Sequence, residues 1–170
     1  MRAVIAALLA IVLAPAAVPA CSIAVFPHEI DPAACAVDTN RPEPPALEVE
    51  TITRGRGPKR DGEAISVTSC DDIGFIHLAF RTPPRDDRTP REQLGFLVVH
   101  TEGELPAGMT LPDEALRAPG ETYTLHWIDG ATDDQEPIAF AVSLIALDVA
   151  GNRSEPSAPV WIRHPGTESR

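Results

Sequence analysis

The sequence predicts an all-β fold, an antiparallel sandwich of two sheets, for the part of the chain that follows residue 45. Short runs in which apolar and polar residues alternate recur along this part, as half-buried strands require. Turn residues separate the runs, and 18 prolines in 170 residues suit short strands better than long helices. No stretch sustains an amphipathic helical period, and the only hint of a helix is about one turn at Asp113–Ala118.

The first twenty residues predict an export signal. Arg2 supplies a positive end, Ala3–Leu13 is an apolar run, and small residues lead to Cys21. The run of about 11 apolar residues is too short for a membrane-crossing helix, which needs about 20. We therefore expect residues 1–20 to be a signal peptide and the mature protein to work outside the cytoplasm, where disulfides persist.

Residues 18–21, Val-Pro-Ala-Cys, resemble the lipobox of bacterial lipoproteins, in which the cysteine is acylated. Pro19 departs from that motif, and ordinary signal-peptidase cleavage after Ala20 is the alternative. The chain has three cysteines, so a lipid on Cys21 leaves Cys35 and Cys70 as an even pair. We expect anchoring at the cell envelope through a lipid on Cys21, and secretion if Cys21 is not acylated.

Residues 21–45 predict a proline-rich tether, because they lack a regular period and polyproline-biased segments are stiff. A disulfide between Cys35 and Cys70 would pin this tether to the folded domain and close a loop of 36 residues, both cysteines included. The chain-entropy model assigns such a closure about 3.5 to 4 kcal/mol of stability, less any strain.

Residues 46–165 predict the sandwich, and residues 166–170 a disordered tail. Clear strands are expected at Leu47–Thr53, Phe75–Arg81, Leu94–Thr101 and Tyr123–Ile128, and in a hairpin between Pro137 and Arg163, with a weaker candidate at Ala64–Ser69. The alternation within them assigns twelve side chains to the core: Ile76, Leu78, Phe80, Phe96, Val98, Tyr123, Leu125, Trp127, Phe140, Val142, Leu144 and Ala146.

The final hairpin resembles the end of a fibronectin type III or immunoglobulin-like domain. Its alternating apolar residues from Phe140 to Ala146 and the turn Asp148–Gly151 carry the resemblance. Residues 76–84 and 94–99 are similar to the second and third strands of that family, with Phe80 and Phe96 at its usual tryptophan and tyrosine positions. The resemblance covers about residues 46–164 and implies a single immunoglobulin-like, fibronectin type III-like antiparallel β-sandwich whose third strand neighbours the last long strand.

That adjacency predicts an apolar outer face. Four side chains between the core positions would point away from the core: Leu97, Val99, Ile145 and Leu147. Soluble monomers rarely expose such a patch, so it predicts a protein-contact surface. The alternative is that the tether, through Ile23–Phe26, or neighbouring long side chains cover it within the same chain.

Charge and motifs narrow the function. The formal charge of −11 disfavours nucleic acid as a partner. The loop Asp129–Glu136 gathers four carboxylates, but its spacing is not that of an EF-hand, so no metal or cofactor is predicted. No nucleophile elbow is present, and no enzyme activity is predicted. We expect a non-catalytic interaction or structural module that binds a protein or glycan at the cell envelope, with calcium or small-ligand binding as the alternative.

Overall fold

A computed structural model describes residues 23–55, 72–130 and 135–166. The predicted signal peptide, Cys21, Cys70, the strand candidate at Ala64–Ser69 and the tail beyond Gly166 lie outside these ranges. The described residues form a short helix, a 3-10 turn and seven strands: α1 (Pro32–Cys35), β1 (Ala46–Thr53), β2 (Ile73–Thr82), the 3-10 turn (Arg91–Gln93), β3 (Gly95–Glu104), β4 (Leu116–Arg117), β5 (Thr122–Ile128), β6 (Ile138–Leu147) and β7 (Val160–His164).

The strands form two antiparallel sheets, which confirms the predicted all-β sandwich. One sheet has the order β1-β2-β5 and the other the order β4-β3-β6-β7. β3 pairs with β6, with Leu97 opposite Ile145, so the expected adjacency of the third and the last long strand is confirmed. β6 and β7 pair as the expected hairpin, with Phe140 opposite Ile162.

One core lies between the sheets, and all twelve side chains that the alternation assigns to it are buried there. Phe96 of β3 joins the sheets, since its ring centroid lies 4.9 Å from that of Phe80 on β2 and 6.2 Å from that of Tyr123 on β5. Full burial of an aliphatic or aromatic side chain stabilises a fold by about 1.5 to 3 kcal/mol. The same cluster includes six residues that the alternation does not assign to the core: Leu47, Leu94, Met109, Ala118, Ile138 and Ile162.

The connection from β6 to β7 begins with a tight turn and then runs beside β6. The Gly151 N–H donates to the Asp148 carbonyl at 3.1 Å, and Gly151 has a φ of +84°, which favours glycine. Further on, the Ala146 and Leu144 N–H groups donate to the hydroxyls of Ser154 and Ser157, at 2.9 and 3.0 Å. The two serine hydroxyls thus supply acceptors for β6 N–H groups that lie beyond the β6–β7 ladder.

The helical turn expected at Asp113–Ala118 does not form. Leu116 and Arg117 are instead the strand β4, which pairs with the start of β3. On its other side the Arg117 N–H donates to the Phe26 carbonyl at 2.7 Å, and the His28 N–H donates to the Ala115 carbonyl at 3.0 Å. Backbone partners on both sides therefore override the local helical pattern.

Residues 23–45, here named the N-terminal strap, lie against the sandwich, whereas the sequence predicts a stiff tether attached by a disulfide. The strap runs from β4 to the turn after β6, where the Asp31 N–H donates to the Val149 carbonyl at 2.7 Å. Its helix α1 starts with Pro32 and is capped by the Asp31 carboxylate, which accepts from the Ala33 N–H at 2.8 Å. No helix in the described ranges has the length and hydropathy needed to cross a membrane.

Candidate contact face and carboxylate cluster

The outer face of the four-stranded sheet carries the aliphatic residues that the sequence predicts as a contact surface. Leu97 and Val99 on β3 and Ile145 on β6 are partly buried and do not belong to the core cluster. The outer face of the other sheet is mainly polar: it carries glutamate, threonine and histidine side chains, and Phe75 stacks on His77 there. Aliphatic side chains also lie at one end of that sheet, where Ile73 is opposite Ile128 and Ile128 is 67% exposed.

Leu147, the fourth predicted residue, lies at a covered end of this face. Only 6% of it is exposed, yet it is not part of the core cluster. Its cross-strand neighbour is Gly95, and the His28 ring of the strap lies so close to Gly95 that a Cβ there would overlap it. The His28 Nε2 also donates to the Asp148 carbonyl at 2.9 Å. The strap therefore covers one end of the face through His28.

Trp161 extends the face to the edge strand β7. It lies opposite Ala141 and is 37% exposed. The Arg163 guanidinium lies 4.3 Å from its ring centroid, within the range of a cation–π contact. The sequence analysis does not name Trp161 as a face residue. Its position between Val160 and Ile162, which face inward, could have predicted that Trp161 faces outward, because successive side chains on a strand point to opposite faces.

Asp129, the first carboxylate of the acidic loop, is already neutralised. Arg54 donates to both of its oxygens at 2.8 Å, and the Gly55 N–H and the Trp127 indole also donate to it. Burial alone would raise the pKa of Asp129, but the hydrogen bonds and charge of Arg54 outweigh burial and hold the pKa below its ordinary value of 3.8. Asp129 is therefore a poor calcium ligand, and the loop residues 131–134 lie outside the described ranges.

A different group of carboxylates converges where the strap meets the sandwich. Asp38 of the strap, Asp86 of the β2–β3 connection and Asp148 of the turn after β6 each place one oxygen within 4.8 Å of the others. Asp148 is fully buried and Asp38 is 4% exposed. Asn152 links two of them, because its Nδ2 donates to the Asp148 carboxylate at 2.8 Å and to the Asp38 carbonyl at 3.1 Å.

This carboxylate cluster has no basic partner in the described part of the chain, where the ion pairs involve other residues. The Oδ2 of Asp86 is shielded from solvent and has no hydrogen-bond donor among the described residues. At this separation two like charges repel by about 3 to 4 kcal/mol for an effective dielectric constant of about 20. A cation bound between the three carboxylates would offset this repulsion.

The cysteine predictions fall mostly outside the described ranges. Cys35 is an exposed free thiol that donates to the Ala150 carbonyl at 3.1 Å. Its predicted disulfide partner Cys70 and the predicted lipidation residue Cys21 are not described. The disulfide and the lipid therefore stay predictions.

The two features differ in chemistry and in place. The aliphatic side chains and Trp161 form a partly exposed surface. The carboxylate cluster lies under the strap, beside the turn that follows β6.

Comparisons with protein-family models, curated proteins and solved structures found no match to this chain.

Proposed function

We propose that this protein is an exported, lipid-anchored module of the cell envelope that binds another protein and has no catalytic activity. The observation that carries the proposal is the aliphatic group of Leu97, Val99 and Ile145 in the open part of the outer face. Removal of such side chains from water by a partner gains about 25 cal/mol per Å². Soluble monomers rarely keep a large apolar patch without such a use.

The composition of the face supports a protein partner over a glycan. Its centre is aliphatic and offers few polar groups for sugar hydroxyls. Trp161 and Arg163 at its edge belong to the residue types enriched in protein–protein contacts. The formal charge of −11 argues against nucleic acid. The partner that fits is a protein with an apolar contact surface of its own.

The sandwich itself is proposed to be of the fibronectin type III-like kind. The hairpin alternation from Phe140 to Ala146 and the turn Asp148–Gly151 support this relationship. In a constant-type immunoglobulin domain the fourth strand lies in the sheet of the first, second and fifth strands. Here β4 lies beside β3 in the other sheet, which favours the fibronectin type III-like variant.

A pair of substitutions at the centre of the face tests the proposed function. The variant with Leu97→Ser and Ile145→Ser removes two aliphatic side chains that are cross-strand neighbours. In cells, a photo-cross-linking residue placed at Val99 is expected to trap a defined partner when the rest of the face is native. The same residue should trap no partner when Leu97→Ser and Ile145→Ser are also present. Because both side chains are partly exposed, the free energy of unfolding is expected to fall by about 1 kcal/mol or less per substitution.

Two controls make this test specific. Phe75→Ser removes a partly buried ring from the outer face of the other sheet and should leave the cross-link in place. A cross-linking residue at the exposed Thr124 should trap no partner. A loss of about 2 to 5 kcal/mol per substitution, as for buried leucines, would instead show internal packing. Equal cross-linking from Val99 and Thr124 would also contradict the proposal.

A further inference from the structure

We propose that Asp38, Asp86 and Asp148 form a binding site for one calcium ion. One carboxylate oxygen from each residue lies within 4.8 Å of the other two. Calcium binds oxygen ligands at about 2.3 to 2.6 Å. Oxygens separated by up to about twice that distance can contact a single ion, so the three side chains are already close enough to share one.

The burial of these carboxylates, and one oxygen among them that has no described partner, point to a cation. The Asp148 carboxylate accepts from the backbone and side-chain N–H groups of Asn152, and the Oδ1 of Asp38 accepts from the Asn40 N–H. Asp148 is fully buried and Asp38 is 4% exposed, and neither forms an ion pair with a described residue. The Oδ1 of Asp86 accepts from two backbone N–H groups, whereas its Oδ2 is shielded from solvent and accepts from no described donor. Buried carboxylate oxygens are normally paired, hydrogen-bonded or bound to a metal.

The donor set favours calcium among the divalent cations. Carboxylate oxygens suit magnesium, calcium and manganese, whereas zinc and copper sites use histidine or cysteine. Magnesium usually keeps several waters and binds through one or two carboxylates, but calcium readily takes more. Three carboxylates from separate segments of the chain match the flexible coordination of calcium.

The ion would fasten the strap to the sandwich. Asp38 belongs to the strap, Asp86 to the β2–β3 connection and Asp148 to the turn after β6. A shared ion adds three ligand contacts to the backbone hydrogen bonds that already hold the strap there. This role is independent of the contact face, because none of the three residues lies in it.

Calcium titration of the full mature chain, first stripped with a chelator, tests the site. Calorimetry is expected to show one ion per chain, with a dissociation constant of about 10⁻³ M or tighter. At a hundredfold excess over that constant the melting temperature should rise by about 5 to 10 °C. Magnesium should bind more weakly. No heat and an unchanged melting temperature with calcium would overturn the site.

Asp86→Asn distinguishes the site from a general charge effect. It keeps the shape of the side chain and removes one charge, so calcium should bind at least tenfold more weakly. Without calcium the same variant should melt at a higher temperature than the native chain, because the repulsion is smaller. Asp87→Asn, the same change at the exposed neighbouring residue, should bind as the native chain does.

Asp38→Asn is a second variant in case Asp86→Asn fails to fold, and it should weaken calcium binding in the same way. Equal weakening by Asp86→Asn and Asp87→Asn would show only a general charge effect and overturn the proposal. Binding that survives Asp86→Asn and Asp38→Asn but is lost with Asp133→Asn and Asp134→Asn would place the ion in the acidic loop. That outcome would also overturn the site.

Discussion

Arg54 lies between two titratable groups at the end of the sandwich where β1, β5 and β7 meet. It pairs with Asp129, and the two side chains are only 9% and 4% exposed. Its Nη1 also lies 3.5 Å from the Nδ1 of His164, which accepts from the Gly166 N–H at 3.1 Å. Burial lowers the pKa of His164, the positive charge of Arg54 lowers it further, and Asp129 opposes this shift.

Both shifts predict that the free energy of unfolding falls as the pH falls. For His164 the folded pKa lies below the ordinary 6.5, so its contribution is present above pH 6.5 and is lost as the pH falls towards the folded pKa. For Asp129 the folded pKa lies below 3.8, so its contribution is lost only below that pH. Urea unfolding measured between pH 8 and pH 3 should show these two losses.

His164→Asn separates the two contributions. The amide oxygen can take the place of Nδ1 and accept from the Gly166 N–H, but it does not titrate. The loss of stability just below pH 6.5 should therefore shrink in this variant, whereas the loss below pH 3.8 should remain. His126→Asn, at an exposed position of β5, is the control and should keep both. An unchanged loss near pH 6.5 in His164→Asn would contradict the assignment.

At the scale of elements, the strands follow closely from the sequence because alternation is a local signal. β1, β2, β5 and β6 lie within a few residues of their predicted positions. β3 continues past the predicted end at Thr101 to Glu104, since an irregularity between His100 and Glu102 shifts its register with β6. β4 was missed, because two residues carry no period and their pairing depends on β3 and on the strap.

The strap and the four-stranded sheet meet at Gly95, and a substitution there tests how firmly the strap is held. Gly95→Ala places a methyl group in the space of the His28 ring. We expect a loss of about 1 to 3 kcal/mol, as for other overpacked sites. Hydrogen exchange should become faster at the His28 and Arg117 amides, which bond across the strap and β4.

Gly120→Ala is the matched control for that substitution. A Cβ at Gly120 meets no atom within 4 Å, so the methyl group should be tolerated there. Exchange at the His28 and Arg117 amides should then match the native chain. If both alanine variants give the same exchange rates, the contact between His28 and Gly95 does not hold the strap.

At the scale of the whole molecule, the docked strap limits how far the sandwich could lie from a membrane that held a lipid on Cys21. The described strap begins at Ile23, two residues after the predicted lipidation residue Cys21. Two residues span at most about 7 Å of extended chain. A lipid on Cys21 would therefore hold the sandwich at the membrane surface, whereas a free tether of residues 21–45 would let it stand away.

The lipid itself is tested by mass spectrometry of the mature N-terminus. We expect a chain that begins at Cys21 with a diacylglyceryl adduct, recovered with the membrane fraction. Cys21→Ser should abolish the adduct and release the protein from the membrane. A native chain cleaved after Ala20, with an unmodified Cys21 and found free of the membrane, would show that secretion is the correct alternative.

The sequence by itself determined the fold class, the strand positions and the twelve predicted core residues, because side chains two residues apart on a strand share a face whatever the rest of the chain does. It also predicts the export signal, which is a local pattern. Only the tertiary structure decided that His28 covers Gly95 and that Asp38, Asp86 and Asp148 converge. Asp38 and Asp86 are 48 positions apart in the chain, and Asp86 and Asp148 are 62 positions apart. Their proximity depends on how the strap packs on the two sheets, and no local period records that packing.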